Sequence, residues 1–274
     1  MAVFNGKKSI VFGITGGAAG LLSSLIYGML NITTASSSWT ISSALDAALI
    51  SVFIVIGQSY YQSKTIPDTS KMLSVFILGA VCGFFGGLVA YYFIVITGTG
   101  SLGRVIGWAI SGAVCGFVVS RKIPNMSAML ATAAGAIGGG VGCLLMYLNL
   151  GYTTGVIVTG AAIGVVVASA EVMFRKSWVA VTVYSEPLNE NGISMAKKTN
   201  QYVLNLGKDP IQVGYSSDMD ILVKSKGITM SKEVAKVTME NDKYYLTYVK
   251  SGEKKEILKG EKVIIENCEI EFCN

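Results

Sequence analysis

Few side chains in this chain of 274 residues could carry chemistry. Histidine is absent, so the sequence offers no Ser-His-Asp triad, no histidine-based metal site and no imidazole proton relay. The cysteines form no CxxC pair, and their spacing fits neither a zinc site nor a disulfide framework. We interpret them as reduced, small apolar side chains, and we expect no metal, no cofactor and no enzymatic activity. They are Cys82, Cys115, Cys143, Cys268 and Cys273.

Ionisable residues inside apolar segments are the next candidates for a functional site. Asp46 lies near the outer end of the second apolar segment, and Arg104 begins the fourth segment on the same side. The two residues predict either an ion pair within the membrane part or two side chains exposed at the membrane interface. Glu171 precedes Arg175 by four residues, which predicts an ion pair along one helix face.

The composition indicates that these residues belong to a membrane protein rather than to a soluble enzyme with one core. Apolar residues make up 51% and charged residues 14% of the chain, whereas an ordinary soluble protein has about 25% charged residues. The mean hydropathy is +0.55. A spanning helix needs about 20 mostly apolar residues. The segments that satisfy this requirement are Ser9–Leu30, Ser43–Tyr60, Met72–Ile96, Arg104–Ser120, Met126–Leu148 and Thr153–Phe174.

The basic residues at the ends of these segments predict their orientation. If the N-terminus is cytoplasmic, eight basic residues lie at inner ends and only Arg104 lies at an outer end. We therefore predict a multi-pass protein of a bacterial inner membrane with both termini in the cytoplasm. The eight residues are Lys7, Lys8, Lys64, Lys71, Arg121, Lys122, Arg175 and Lys176.

Small residues recur every four positions in the predicted helices. This spacing places them on one helix face, where two backbones can approach closely. We interpret the pattern as a six-helix bundle of three two-helix repeats; the alternative is that these faces bind other subunits or line a pore. The small residues are Gly16, Gly20, Gly79, Gly83, Gly87, Gly135 and Gly139 in the first helices of the hairpins and Gly112, Gly116, Gly160 and Gly164 in the second.

The charge of the chain also divides at the end of the last apolar segment. Residues 1–177 carry nine basic and three acidic groups, a net charge of +6, and residues 178–274 carry thirteen lysines and fourteen acidic groups, a net charge of −1. The soluble part therefore has no basic excess for a phosphate backbone, and we expect no nucleic-acid binding.

From Trp178 onward, nine short alternating runs rich in Val, Ile, Tyr and Thr predict an all-β sandwich of about 100 residues. Asn-Gly at 191–192, Ser-Gly at 251–252 and Lys-Gly at 259–260 predict turns. We divide the chain into a membrane domain of residues 1–176 and a β domain of residues 177–274. With few groups for catalysis, the β domain is interpreted as a binding module.

Motifs in the β domain resemble the forkhead-associated (FHA) family in their order along the chain. They resemble the strand before the family's Gly-Arg pair, its acidic turn, its Ser-Lys segment and its following aromatic strand. These motifs are Pro210–Gly214, Ser217–Ile221, Ser231–Val237 and Tyr244–Leu246. The resemblance covers Tyr202 to Phe272 and implies a β-sandwich whose loops bind a protein partner. By this resemblance the partner-binding residues are Gly214, Tyr215, Ser216, Ser217, Ser231 and Lys232.

The departures from the family concern its phosphothreonine site. Tyr215 stands where the family has arginine, Val234 replaces a structural histidine, and residues 178–274 contain no arginine at all. No guanidinium fork for a phosphate is therefore available in this domain. The resemblance implies protein recruitment that does not depend on phosphothreonine.

These features together predict a non-enzymatic membrane scaffold. The glycine-rich helices, which resemble bacterial membrane proteins that carry an FHA domain, would anchor it among lipids and seat beside other membrane subunits or further copies of the chain. The FHA-like domain would recruit a cytoplasmic protein. The alternative is a channel or transporter subunit with the β domain as its regulator. The absence of charges at mid-depth disfavours ion-coupled transport, although a pore lined by small polar groups fits the sequence.

Overall fold

The computed structural model of the chain describes residues 6–30, 39–98, 100–147, 152–173, 177–188, 197–207, 209–224, 232–241 and 243–273. Within these ranges six α-helices are followed by nine β-strands. The chain divides into two compact units. The first comprises Met1–Gln58 and Thr69–Phe174, and the second comprises Ser59–Asp68 and Arg175–Asn274.

The six predicted spans are confirmed as helices long and apolar enough to cross a membrane, as expected of a multi-pass membrane protein. They are α1 (Gly6–Leu30), α2 (Trp39–Ser63), α3 (Thr69–Thr97), α4 (Gly100–Ser120), α5 (Ala128–Met146) and α6 (Tyr152–Met173).

Local signals in the sequence explain several helix ends. Lys64 has a φ of 59° and its amide donates to the Tyr60 carbonyl at 3.1 Å, which closes the last turn of α2. Gly98 closes the last turn of α3 in the same way: its φ is 64°, and its amide donates to the Ile94 carbonyl. The Ser127 side chain accepts from the Leu130 amide at the start of α5.

Each helix of the first unit packs against its neighbours in a closed cycle. Helix α1 packs against α6, α6 against α5, α5 against α4, and α4 against α3. Gly79 and Gly83 of α3 lie against α2, and Ser23 of α1 contacts Asp46 of α2. The first helix of each predicted hairpin thus contacts the second helix of another hairpin. Buried members of the shared core include Phe12, Ile50, Ile54, Val119 and Ile163.

The recurring glycines lie where these helix pairs approach most closely. A Cβ added to Gly79 would lie 2.8 Å from the Cα of Ala48, so no larger side chain fits between α3 and α2. Backbone atoms of a partner helix similarly block a Cβ at the other predicted small positions. These are Gly16, Gly20, Gly160 and Gly164 between α1 and α6, Gly112, Gly116, Gly135 and Gly139 between α4 and α5, and Gly83 and Gly87 between α3 and α2.

Each of the nine predicted runs falls on a strand of the second unit. The strands are β1 (Ser177–Tyr184), β2 (Lys198–Leu206), β3 (Ile211–Gly214), β4 (Ile221–Leu222), β5 (Glu233–Glu240), β6 (Lys243–Tyr248), β7 (Lys254–Ile257), β8 (Lys262–Ile265) and β9 (Cys268–Cys273).

The strands form two sheets with the orders β2-β1-β9-β8 and β4-β3-β5-β6-β7. The β3–β4 pair is parallel, and every other strand pair among the described residues is antiparallel. The Tyr244 and Phe272 rings join the two sheets, with their centroids 5.6 Å apart. Positive φ angles at Gly252 (68°) and Gly260 (80°) confirm two of the predicted turns. The turn predicted at 191–192 lies outside the described residues.

The two compact units do not each consist of one continuous stretch of chain. The end of α2 and the following loop, Ser59–Asp68, group with the β-strands. The reason is packing and hydrogen bonding within the second unit. The Tyr61 ring contacts the Tyr202 ring, and Asn200 binds the backbone of Tyr61 and Gln62.

Candidate functional site

Two of the predicted partner-binding segments are adjacent in the structure. The Tyr215 amide, just after β3, donates to the Lys232 carbonyl, just before β5, at 2.9 Å. The β3–β5 register shifts after Val213, so that Gly214 lies opposite Glu233. A Cβ on Gly214 would lie 3.0 Å from the Cα of Glu233, so glycine is needed at this crossing.

A compact turn presents the residues that follow Gly214. The Met219 amide donates to the Ser216 carbonyl at 3.0 Å. The Asp220 carboxylate accepts from the Gln212 amide at 3.0 Å and fixes the base of the turn. Ser217 is exposed in this turn. Lys232, whose carbonyl accepts the hydrogen bond from the Tyr215 amide, is exposed as well. Ser231 lies outside the described residues.

Tyr215 contacts the carboxylate of Glu266 through its side chain. Its side chain is half-buried, and its hydroxyl donates to the Glu266 carboxylate at 2.9 Å. Glu266 lies in the turn between β8 and β9 and has a φ of 53°. The Glu266 carboxylate therefore places negative charge beside the Tyr215 hydroxyl.

Asn267 is a structural residue that sequence reasoning missed. It is 0% exposed; its amide donates to the Tyr184 carbonyl at 3.0 Å, and its side-chain oxygen accepts from the Lys224 amide at 2.7 Å. It therefore joins the end of β1 to the segment after β4, next to Glu266. The sequence gives no signal for this role, because both partners are backbone groups far away in the chain.

The predicted ion pair between Asp46 and Arg104 is absent from the described residues. Asp46 is 4% exposed and accepts a hydrogen bond from the Ser23 hydroxyl, whereas Arg104 is exposed. The alternative of interfacial exposure is wrong for Asp46. The reason is that α2 packs against α1 at this level, so the carboxyl is covered by Ser23 and its neighbours instead of by solvent.

Glu171 of α6 forms an ion pair with Lys8 of α1. Its carboxylate lies 2.6 Å from the Lys8 ammonium, and the two side chains are 2% and 1% exposed. Lys8 also lies over the Phe12 ring, 5.2 Å from its centroid. The pair joins α1 to α6, which the spacing along one helix could not reveal. Arg175, the predicted partner, lies outside the described residues.

The end of α2 is held by a side chain of β2 within the second unit. The Asn200 amide donates to the carbonyls of Tyr61 at 3.1 Å and Gln62 at 2.6 Å. These carbonyls belong to the last turn of a helix, which lacks intrahelical donors. The Tyr61 and Tyr202 rings meet edge to face at 6.4 Å. Burial raises the pKa of Tyr202 well above its usual value.

Other chemistry finds little support in the described part of the chain. No group of three or more Cys, Asp or Glu side chains there could hold a metal ion. All five cysteines are free thiols. Burial raises the pKa of Cys268 to about 12, so this thiol stays protonated at neutral pH.

Comparison of the chain with protein-family models, with curated proteins and with solved structures finds no match.

Proposed function

We propose that the chain is a non-enzymatic membrane scaffold whose C-terminal unit recruits a protein partner. The observation that carries this proposal is the hydrogen bond between Tyr215 and Lys232, which brings residues 214–217 next to Lys232 at one end of the β unit. The same chain contains six helices long and apolar enough to span a membrane. In this proposal the helices lie in a bacterial inner membrane, both termini are cytoplasmic, and the partner is a soluble protein or another membrane subunit.

The β unit is proposed to be an FHA-like sandwich. In support, the four FHA-like motifs fall on or beside β3, β4, β5 and β6 of one sheet. The hydrogen bond from Tyr215 to Lys232 joins two loops by which the family presents its ligand surface. The exposed side chains of this surface are Ser217, Asp218 and Lys232. We name these three residues together with Tyr215 the recruitment loop surface.

Recruitment is proposed to be independent of phosphothreonine. Tyr215 replaces the expected arginine, and its hydroxyl is engaged by the Glu266 carboxylate at 2.9 Å. A phosphate brought to this place would meet like charge, and no arginine between residues 178 and 274 could offset it. An unphosphorylated segment with its own polar and basic groups fits this surface better.

The membrane unit is proposed to consist of three two-helix repeats in cyclic order. In support, α1, α3 and α5 each pack through glycines on α6, α2 and α4, respectively, which are second helices of other hairpins. Such a unit leaves apolar side chains for lipid, for other membrane subunits or for further copies of the chain.

The scaffold proposal is tested by purifying the full-length chain from its native membrane in mild detergent and identifying the proteins that elute with it. The variants are Tyr215→Ala with Lys232→Ala and a chain that ends after Lys176. We expect a defined partner to be lost from both. Unchanged recovery of every partner with the two-residue variant would contradict the proposed surface.

Lys259→Ala is the matched control for the charge change. Lys259 is also exposed, but it follows β7 after Ile257, which pairs with Tyr244 at the opposite end of the sheet from Gly214. We expect this variant to retain the partner. Loss of the partner from the two-residue variant would then depend on where the substitutions lie and not only on the removal of a positive charge.

The second candidate is a channel or transporter subunit, with the β unit as its regulator. The observation in its favour is the group of polar side chains buried between helices, which includes Asp46, Ser51 and Thr159. Ion flux through vesicles that contain the purified chain, retained after removal of residues 178–274, would favour this function. Absence of flux together with a partner that is lost on truncation would favour the scaffold.

A further inference from the structure

Three basic residues lie where α3 begins and α4 ends, at one end of the membrane unit. The Lys122 ammonium, just after α4, donates to the Ser74 hydroxyl of α3 at 2.9 Å. That hydroxyl donates in turn to the Lys71 carbonyl at 2.8 Å, and the spacing of three places Lys71 and Ser74 on one face of α3. The Arg121 guanidinium lies over the Phe117 ring, 5.2 Å from its centroid.

The position of Arg121 depends on the packing of the ring that it covers. Phe117 of α4 packs against a core cluster that contains Val75 of α3. Val75 follows Ser74, to which Lys122 is bonded. Both basic residues after α4 are therefore tied to the same part of α3. We name Lys71, Arg121 and Lys122 the α3–α4 basic end.

No carboxylate forms an ion pair with the α3–α4 basic end among the described residues. Asp68 is the acidic residue closest to it in the sequence, three positions before Lys71. With Asp68 included, three basic groups and one acidic group leave a net charge of +2. A surplus of this sign attracts phosphate groups, and the Arg121 guanidinium supplies the fork that binds two of their oxygens.

The surface of α3 next to this basic end is apolar and open. Leu73, Phe76 and Ile77 are 57%, 37% and 53% exposed, and their spacing places them on one helix face. Helix α3 has 29 residues. At about 1.5 Å per residue it is longer than a hydrocarbon core of about 30 Å. Its first turn therefore reaches the lipid headgroups, and its exposed apolar face lies among acyl chains.

We propose that the α3–α4 basic end binds the headgroup of an anionic phospholipid from the leaflet at this end of the unit, with the acyl chains along the exposed face of α3. Arg121 binds phosphate oxygens, and Lys122 adds an ammonium that Ser74 already holds in place. The net positive charge favours phosphatidylglycerol over the zwitterionic phosphatidylcholine. A soluble anion would use the charges but not the apolar face. This inference is independent of partner recruitment by the β unit.

The test is native mass spectrometry of the full-length chain in detergent with added phosphatidylglycerol or phosphatidylcholine. We expect the wild type to bind phosphatidylglycerol more tightly. Lys122→Gln should weaken this binding about fivefold, because a basic residue near the headgroups contributes about that factor. Lys7→Gln is the matched control, since it removes one exposed positive charge at the start of α1 and should leave the affinity unchanged. Equal weakening by both variants, or no lipid preference in the wild type, would overturn the proposal.

Two further measurements use the wild-type chain alone. Glycerol 3-phosphate has the phosphate without acyl chains, and we expect it to bind far more weakly than the lipid. Equally tight binding would show a soluble-anion site instead. Phosphatidylglycerol with a photoreactive diazirine in one acyl chain should label residues 73–77 in nanodiscs. Labelling confined to α1 and α6, which form another apolar groove between Ile10 and Val165, would contradict the proposed place of the lipid.

Discussion

At the scale of single residues, several buried polar groups of the membrane unit find their partners on other helices. Lys8 and Glu171 are 163 positions apart in the chain and form a buried bond of 2.6 Å. Neither charge could remain in such a place alone, because each would lose its hydration without compensation. The pair thus depends on the packing of α1 against α6 and also restrains it.

The first prediction concerns this ion pair. Glu171→Gln removes the charge partner of Lys8, and we expect the free energy of unfolding to fall by about 3–5 kcal/mol. The double variant Lys8→Met with Glu171→Met should recover most of this loss, because neither charge is then buried unpaired. The measurement is thermal unfolding in nanodiscs. Lys243→Met, which breaks an exposed pair with Glu256, serves as the control and should have almost no effect.

The second prediction concerns thiol reactivity. Cys268 is 0% exposed and burial raises its pKa to about 12, whereas Cys273 at the other end of β9 is half-buried. Since the thiolate is the reactive form, we expect iodoacetamide at neutral pH to modify Cys273 well before Cys268 in the folded protein. Peptide mass spectrometry measures both sites. Equal rates in the folded state would be inconsistent with the packing of β9, and denaturant should equalise them.

At the scale of elements, close contacts between helices depend on backbone shape. Gly79 of α3 lies against Ala48 of α2, whereas an added Cβ on Gly28 of α1 would meet nothing within 4 Å. A side chain larger than hydrogen would therefore clash at Gly79 but not at Gly28. Spacing singles out Gly79 as a small residue of one helix face, but it does not show which backbone atoms this glycine meets.

The third prediction uses these two glycines as a matched pair. Gly79→Ala should lower the free energy of unfolding by roughly 1–3 kcal/mol, because the methyl group forces α3 away from α2. Gly28→Ala should leave stability unchanged or raise it by up to about 1 kcal/mol, since alanine favours the helix. Thermal unfolding in nanodiscs compares them. A larger loss from Gly28→Ala than from Gly79→Ala would contradict the observed helix contacts.

The fourth prediction concerns the end of α2. Asn200→Ala removes both hydrogen bonds to the carbonyls of Tyr61 and Gln62, and we expect a loss of about 1–2 kcal/mol. Hydrogen exchange at residues 61–68 should become faster while the centre of α2 stays protected. The control is Gln201→Ala, an exposed neighbour on β2 that contacts Lys198 instead. Equal exchange in the two variants would argue against a specific role for Asn200.

At the scale of the whole molecule, the second unit is assembled from two separate parts of the chain. Four of the six membrane helices lie between Ser59–Asp68 and the β-strands in the sequence, yet Ser59–Asp68 groups with Arg175–Asn274. Tyr61 supplies an aromatic contact to Tyr202, a side chain 1% exposed. The β-strands alone therefore do not make up the complete unit.

The fifth prediction follows from this composition. A fragment of residues 177–274 lacks Tyr61. In this fragment Asn200 also loses the two helix carbonyls to which it donates. We therefore expect the fragment to unfold at a lower temperature than the same strands in the full-length chain. Tyr61→Ala in the full-length chain should reproduce part of the loss. Tyrosine fluorescence and hydrogen exchange of β2 measure both. Identical protection of β2 in fragment and full-length chain would show that Ser59–Asp68 adds nothing to its stability.

Local patterns in the sequence are enough to predict the helices and strands of this protein. Apolar length predicts six spanning helices, since a bilayer fixes how many residues a helix needs, and alternation predicts nine strands, since side chains of a strand point to opposite faces. The turns at Gly252 and Gly260 are also predicted, because glycine adopts the positive φ angles that such turns need. The sequence also predicts the candidate loops around Gly214 and Lys232, which a hydrogen bond joins in the structure.

Which residues meet across long distances in the chain depends on how the helices and strands pack. The sequence predicts a pair between Asp46 and Arg104, because both lie at the same end of apolar segments. In the structure Ser23 contacts Asp46, and packing also brings Lys8 to Glu171 and Glu266 to Tyr215. A buried charge or polar group takes whichever partner the neighbouring element supplies, and the order of elements around a core is set by all their contacts together.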